Sequence, residues 1–260
     1  MKHLDPAALE GHPGKRIHKG DRFSFACHDK VSCFNLCCRN LNLFLYPYDV
    51  LCLSRALRLS APDFFEKHTD VILRENQFFP EVLLKMAENE ERTCPFLGDS
   101  GCSVYAARPD ACRSFPVELG AVFSPKGEML EQVAFFRPPD FCMGQKEEKT
   151  WTLDAWIRDQ EAENHVRMTR EWAAVRALFD RDPWGLEGVY GKKGKMAFMA
   201  AYNMDDFRKF LFESSFFTRY KVSPELKVKL KKDDTRLLRF GFDWIRHSVW
   251  GMSVPGVKLK

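Results

Sequence analysis

Apolar positions in this chain follow a helical period in several stretches and alternate in one. Between residues 49 and 59, Val50, Leu53 and Leu57 fall at i, i+3 and i+7, which predicts a short amphipathic helix. Ser60-Ala61-Pro62-Asp63 then restarts the chain. Ser60 suits an N-cap, Asp63 stands three residues on as the acidic partner of a capping box, and Pro62 fits a first turn. The helix opened there carries Phe64, Phe65 and His68, the histidine at a surface or core-edge position. Residues 79–89 read as another helix beginning near Pro80. Val117, Leu119, Ala121 and Phe123 alternate, Ser124-Pro125-Lys126-Gly127 supplies a turn, and 129–135 pair back as a hairpin.

Beyond residue 150 the period is helical. A long amphipathic helix is predicted over 153–180, burying Trp156, Val166, Trp172, Val175 and Phe179, until Asp182-Pro183-Trp184-Gly185 breaks it. A second is predicted over 203–220. Asn203 caps it, Asp205 and Asp206 suit its positive end, and Phe207, Phe210, Leu211 and Phe217 form the apolar face. The pattern predicts an α+β fold that is predominantly α-helical. An irregular cysteine-cluster domain, with loops and a small hairpin, packs on a C-terminal helical region. The segments are a poorly ordered lead-in (1–20), the cysteine-cluster metal-binding domain (21–145) and the helical region (146–260).

Composition changes this picture in three places. With 45% hydrophobic and 29% charged residues over 260 positions, the chain can bury a core without a metal or disulfides. The 23 phenylalanines are expected in that core. The net charge of +4 is mild, but residues 221–260 carry ten Lys/Arg against four Asp/Glu. A solvated basic face accounts for that excess. No RNA-binding aromatic signature or DNA-reading motif accompanies it, so nucleic acid is not an expected partner, while a protein partner stays open. Residues 1–20 lack the apolar stretch of a secretory signal, and no run approaches the ~20 apolar residues of a membrane span. A soluble, cytoplasmic protein is the expectation.

Nine cysteines in a reducing compartment call for metal ligation or chemistry. They form Cys27-x5-Cys33-x3-Cys37-Cys38, then Cys94-Pro95-Phe96-Leu97, Gly101-Cys102 and Arg108-Pro109-Asp110-Ala111-Cys112-Arg113, and lastly Cys142-Met143-Gly144. Thiolates select soft centres, zinc or an iron–sulfur cluster, and short spacings let one loop bring two sulfurs to one centre. The candidate ligands are Cys27, Cys33, Cys37, Cys38, Cys94, Cys102, Cys112 and Cys142. Eight suffice for two four-sulfur sites, or for one site with spare reactive thiols. The spacing is not that of a zinc ribbon. Cys52, inside a predicted helix, is expected to be buried and inert. Arg39, Arg108 and Arg113 stand beside the clusters, where they offset thiolate charge, make surface ion pairs or hold loops. His28 adjoins Cys27, but sequence neighbours point apart, which disfavours a nucleophilic dyad.

The block from Cys94 through Gly101-Cys102-Ser103-Val104-Tyr105, Arg108-Pro109 and Cys112-Arg113 to Phe115-Pro116 resembles the YkgJ-type cysteine cluster proteins, a family described as zinc- or iron-chelating. Their earlier hallmark is a C-x2-C-x2-C-C run followed by a helix starting near an aspartate. The run here is wider, and Asp49 takes the helix-start position. A late cysteine near a glycine matches Cys142 and Gly144. The resemblance covers roughly residues 23–145. The wider run is also similar to that of FliB-type flagellin lysine methylases, which are iron–sulfur enzymes. These resemblances imply zinc or a [4Fe–4S] cluster as cofactor. They leave three functions open: a metal-binding protein, an iron–sulfur protein-lysine methylase-like enzyme, or a zinc-braced interaction module. No Gly-rich strand-to-helix loop in 146–260 marks a methyl-donor pocket.

Overall fold

Short polar side chains start five of the helices. Ser60, Thr152, Asn203, Ser223 and Asp233 each accept the backbone N–H three residues on, satisfying one orphan donor of a first turn. The structure, a computed structural model, describes residues 2–4, 9, 11–124, 126–253 and 257–259. Pro125 of the predicted turn, residues 1, 5–8 and 10 of the lead-in, and 254–256 and 260 of the basic stretch lie outside the described residues.

Along the chain run β1 (Lys2–His3), β2 (Lys15–Arg16), β3 (Arg22–Ser24), α1 (Pro47–Ala56), α2 (Ala61–His68), β4 (Thr69–Ile72) and β5 (Glu81–Leu84). Next come β6 (Leu97–Gly98), β7 (Gly101–Cys102), α3 (Asp110–Ser114), β8 (Val117–Phe123), β9 (Met129–Phe136) and β10 (Thr150–Thr152). The rest is α4 (Leu153–Asp159), α5 (Glu163–Arg176), α6 (Lys192–Tyr202), α7 (Met204–Glu213), α8 (Phe216–Arg219), β11 (Tyr220–Val222), α9 (Pro224–Lys232), α10 (Asp234–Trp250) and β12 (Val257–Leu259). Helix accounts for 46% and strand for 17%, an α+β fold that is predominantly helical.

The predicted hairpin is present as β8–β9, the centre of a four-stranded sheet ordered β1-β8-β9-β2. Val117, Leu119, Ala121 and Phe123 are buried, as their alternation requires. Other strands pair in twos: β3 with β10, β4 with β5, β6 with β7 and β11 with β12.

Four local expectations are corrected. Residues 79–89 are not a helix. Glu81–Leu84 form a strand on β4, with Val82 and Leu84 inward, because pairing and alternate burial override the helical reading. The helix over 153–180 is interrupted after Asp159. Glu161 is left-handed (φ 51°), and the Ala162 N–H donates back to Ile157 O at 2.8 Å, a Schellman-type stop. The helix over 203–220 ends at Glu213 and restarts at Phe216. Ser60 caps α2, but Asp63 turns its carboxylate to the Ser60 hydroxyl (2.6 Å) rather than to the Ser60 N–H.

Helix α5 faces two cores. Met168, Trp172 and Val175 join the larger one with Val50, Leu53, Phe64, Phe79, Phe207 and Phe240. Ala173 joins the smaller one beneath the β8–β9 hairpin, with Phe23, Phe25 and Trp156. Phe96 and Val104 reach the larger core from the cysteine block, so buried contacts cross residue 145. Helices α6 and α10 meet at Gly241, where a Cβ would stand 2.0 Å from Ala200 O. Among the described residues no helix is long and apolar enough to cross a membrane.

Phe79 is fully buried, with ring centroids 5.5 Å from Trp172 and 4.6 Å from Phe179. Phe79→Ala is expected to cost about 3–5 kcal/mol, read as a lower denaturation midpoint.

Candidate metal centre

Main-chain bonds decide where the cysteines stand. Cys27 follows β3 and is exposed. Just before it, the Ala26 N–H donates to Gly144 O (3.0 Å), drawing the Cys142 loop alongside. Only glycine allows this approach, since a Cβ on Gly144 would lie 2.5 Å from Ala26 O. Cys33 is buried in a turn, and Cys37 and Cys38 share a 3-10 turn entered through left-handed Asn35 (φ 64°). The Cys94 N–H donates to Cys38 O (2.8 Å), and Arg39 bridges to Thr93, so the first run lies against the second. Cys102 is on β7 and Cys112 is within α3.

Backbone donors aim at four of the sulfurs. The Met143 N–H reaches Cys33 Sγ at 3.1 Å. Phe96 N–H serves Cys94, Val104 N–H serves Cys102, and the Gly144 and Gln145 N–H groups serve Cys142. Such donors favour thiolate and tune a bound centre. Burial works against them. It pushes Cys94 up to about 11 and also raises Cys102, Cys112 and Cys142. The Cys37 thiol donates to Cys38, which lowers Cys38 to about 7 with help from Arg39.

The eight predicted cysteines influence one another electrostatically in two overlapping groups, Cys27 reaching Cys38 as well as Cys33 and Cys142. Cys27 and Cys142 both feel Cys33. Cys112 feels Cys38, Cys94 and Cys102. The Cys37–Cys38 pair lies between, since Cys37 also feels Cys27 and Cys112. Among the described residues no three His, Cys, Asp or Glu side chains already form a set that could hold a metal ion. The donor chemistry fits a soft metal, but holding one would require the thiols to reorient and lose their protons.

A family model, CxxCxxCC, described as a "Putative zinc- or iron-chelating domain", matches residues 26–151. The matched segment, just under half of the chain, is similar to this family's domain. No curated protein and no solved structure matches the chain. The added residues in the first run of this segment are taken up by turns, with Val31 N–H on His28 O and Phe34 N–H on Val31 O.

Asp49 occupies more than a helix start. Its fully buried carboxylate accepts the Tyr46 N–H (2.9 Å) and the Asp110 N–H (2.8 Å), joining α1 to the helix that carries Cys112. Burial and neighbouring Asp110 push it up to about 7. Arg39 makes the expected surface ion pair, with Glu91 at 3.0 Å. Arg108 and Arg113 are buried instead. Arg108 donates to Tyr105 O (3.0 Å) and Gln160 Oε1 (2.9 Å). Arg113 donates to Gln160 O (2.8 Å) and Ala106 O (2.6 Å). The two tie the cysteine block to the break between α4 and α5. Cys52 is half-buried rather than buried, stands apart in α1, and is raised to about 11 by burial. His28 meets Glu147 (3.4 Å), not Cys27.

Six of the eight thiols (all but Cys33 and Cys142) line a cleft of about 1760 Å³. Its other walls include Tyr46, Glu81, Arg176 and Tyr202. Sequence reasoning missed these four because α1, β5, α5 and α6 each supply one, or a flanking one, with no local motif.

Arg113→Met is expected to cost about 2–4 kcal/mol, because buried carbonyls lose a charged donor; the check is a chemical denaturation curve. His165, at the start of α5, is buried with neither ring nitrogen hydrogen-bonded, and burial, with Arg113 adding to it, lowers it to about 4. The unfolded chain takes up this proton near pH 6.5 and the folded chain only near 4, so stability falls as pH drops through that window. Relative to His165→Phe, the native protein should lose about 3 kcal/mol between pH 6.5 and 4. Parallel pH profiles would contradict this.

Proposed function

We propose that the CxxCxxCC-like segment binds metal as two adjoining four-thiolate sets. Cys27, Cys33, Cys37 and Cys142 form one, and Cys38, Cys94, Cys102 and Cys112 form the other. The observation that carries this reading is the distribution of N–H donors onto sulfur. Cys33 and Cys142 receive them in the first set, and Cys94 and Cys102 in the second. A cysteine-only donor set with hydrogen-bonded sulfurs suits a [4Fe–4S] cluster in each. All nine cysteines are free, which fits a reducing, cytoplasmic setting.

Metal uptake must turn the sulfurs toward common points. The Cys37 thiol gives up its hydrogen bond to Cys38, and the Cys142 thiol its bond to Cys33. Ligation displaces the thiol protons, so affinity is expected to rise with pH.

A second reading, an iron–sulfur protein-lysine methylase-like enzyme, is supported by the six thiols that face the large cleft. Titration of the metal-replete protein with S-adenosylmethionine in a calorimeter checks it, and absence of heat removes it.

The primary test is anaerobic purification with visible absorption and elemental analysis. A brown protein with a band near ~400 nm and about eight iron and eight sulfide per chain is expected. Cys94→Ser or Cys102→Ser should remove roughly half of that metal, and Cys33→Ser or Cys142→Ser the other half. Two zinc ions per chain would keep the two sets and replace the cluster. Unchanged metal in all four variants would overturn the assignment.

A further inference from the structure

Residues 43–45 add a short third strand to the β4–β5 pair. The Leu45 N–H donates to Val82 O (2.8 Å), the Leu84 N–H donates to Leu43 O (2.9 Å), and Phe44 opposes Leu83. In antiparallel pairing, successive residues turn their main-chain groups to opposite edges. Leu43 and Leu45 serve β5, so Asn42 and Phe44 turn theirs to the far edge. Among the described residues no hydrogen bond meets the Asn42 or Phe44 main chain there. Both residues line the thiolate-walled cleft, and Asn42 is exposed.

An unpaired strand edge is a template for another extended backbone. The dimensions agree with that. A cleft of about 1760 Å³ exceeds the ~300–1000 Å³ typical of a small-ligand pocket. The charge agrees as well. The cleft lining holds six acidic and six basic side chains, whereas a nucleic-acid groove needs a basic excess to neutralise phosphates. Phe34, Tyr105 and Phe141 stand exposed on the cleft wall (37%, 61% and 46%), offering apolar contacts to side chains of a bound strand.

We propose that the open edge at residues 42–44 binds an extended segment of a partner polypeptide as an added β-strand. The segment would be of mixed charge, with apolar side chains toward the aromatic residues of the wall, and would run past the cysteines. The edge contains no cysteine, so this binding does not depend on which metal the centre holds.

The test uses the full chain with its native metal, a fluorescein-labelled pool of random nonapeptides, and fluorescence anisotropy, with metal content read on the same samples. Saturable binding at micromolar protein is expected. Asn42→Pro removes an edge N–H without touching the bonds to β5, and should weaken binding about tenfold, the worth of one main-chain hydrogen bond. Asn42→Ala should bind like the native chain. A peptide selected from the pool should lose a similar factor when N-methylated at alternate residues, which provides a readout even if Asn42→Pro folds poorly. Absence of peptide binding by a metal-replete sample would overturn the proposal. So would indifference to N-methylation, or a preference for labelled oligouridine over every peptide. Loss of metal with peptide binding intact would instead count against the thiolate assignment alone.

Discussion

Arg113 places a guanidinium in the interior, 2% exposed, and meets its charge mainly with peptide carbonyls. The Glu161 carboxylate stands 4.0 Å away and mostly in solvent. Burying a cation is costly unless its donors are met, so Nη1 and Nη2 depend on the carbonyls of Gln160 and Ala106, while the buried Nε has no hydrogen-bond partner. That requirement holds the α4–α5 break in register with the cysteine block. It also accounts for a glutamate at φ 51°, a conformation disfavoured for any residue with a Cβ. The rest of the helical packing then follows from α5, whose two faces enter two cores.

The same economy of main-chain contacts governs the thiols. Asp49 satisfies the first turns of two helices with one carboxylate, so α1 and the Cys112 helix cannot shift independently. The Cys38–Cys94 contact is a main-chain hydrogen bond, not a sulfur link, so forming it needs no metal. Main-chain contacts therefore hold the first cysteine run against the second without help from the sulfurs.

Much of this was legible in the residues, though unevenly. Alternation at Val117–Phe123 and the caps at Ser60 and Asn203 are local signals, and the structure repeats them. The strand at Glu81–Leu84 and the stop at Glu161 depend on partners distant in the chain, β4 in one case and Arg113 in the other. Spacing marked the eight cysteines as a group. It could not show which would be neighbours, because that is settled by Ala26–Gly144 and Cys38–Cys94, pairings across 118 and 56 positions. Tyr46, Arg176 and Tyr202 were silent for the same reason.

Gly144 carries a consequence for how such a sequence can drift. The Cys142 loop is docked on the strand before Cys27 by the absence of one methyl group, not by the number of residues separating the first cysteines. The run from Cys27 to Cys38 is therefore free to lengthen, as it has here, while the distant loop keeps its seat. In a lineage of such proteins, insertions between cysteines should be forgiven where an alanine at this one position would not.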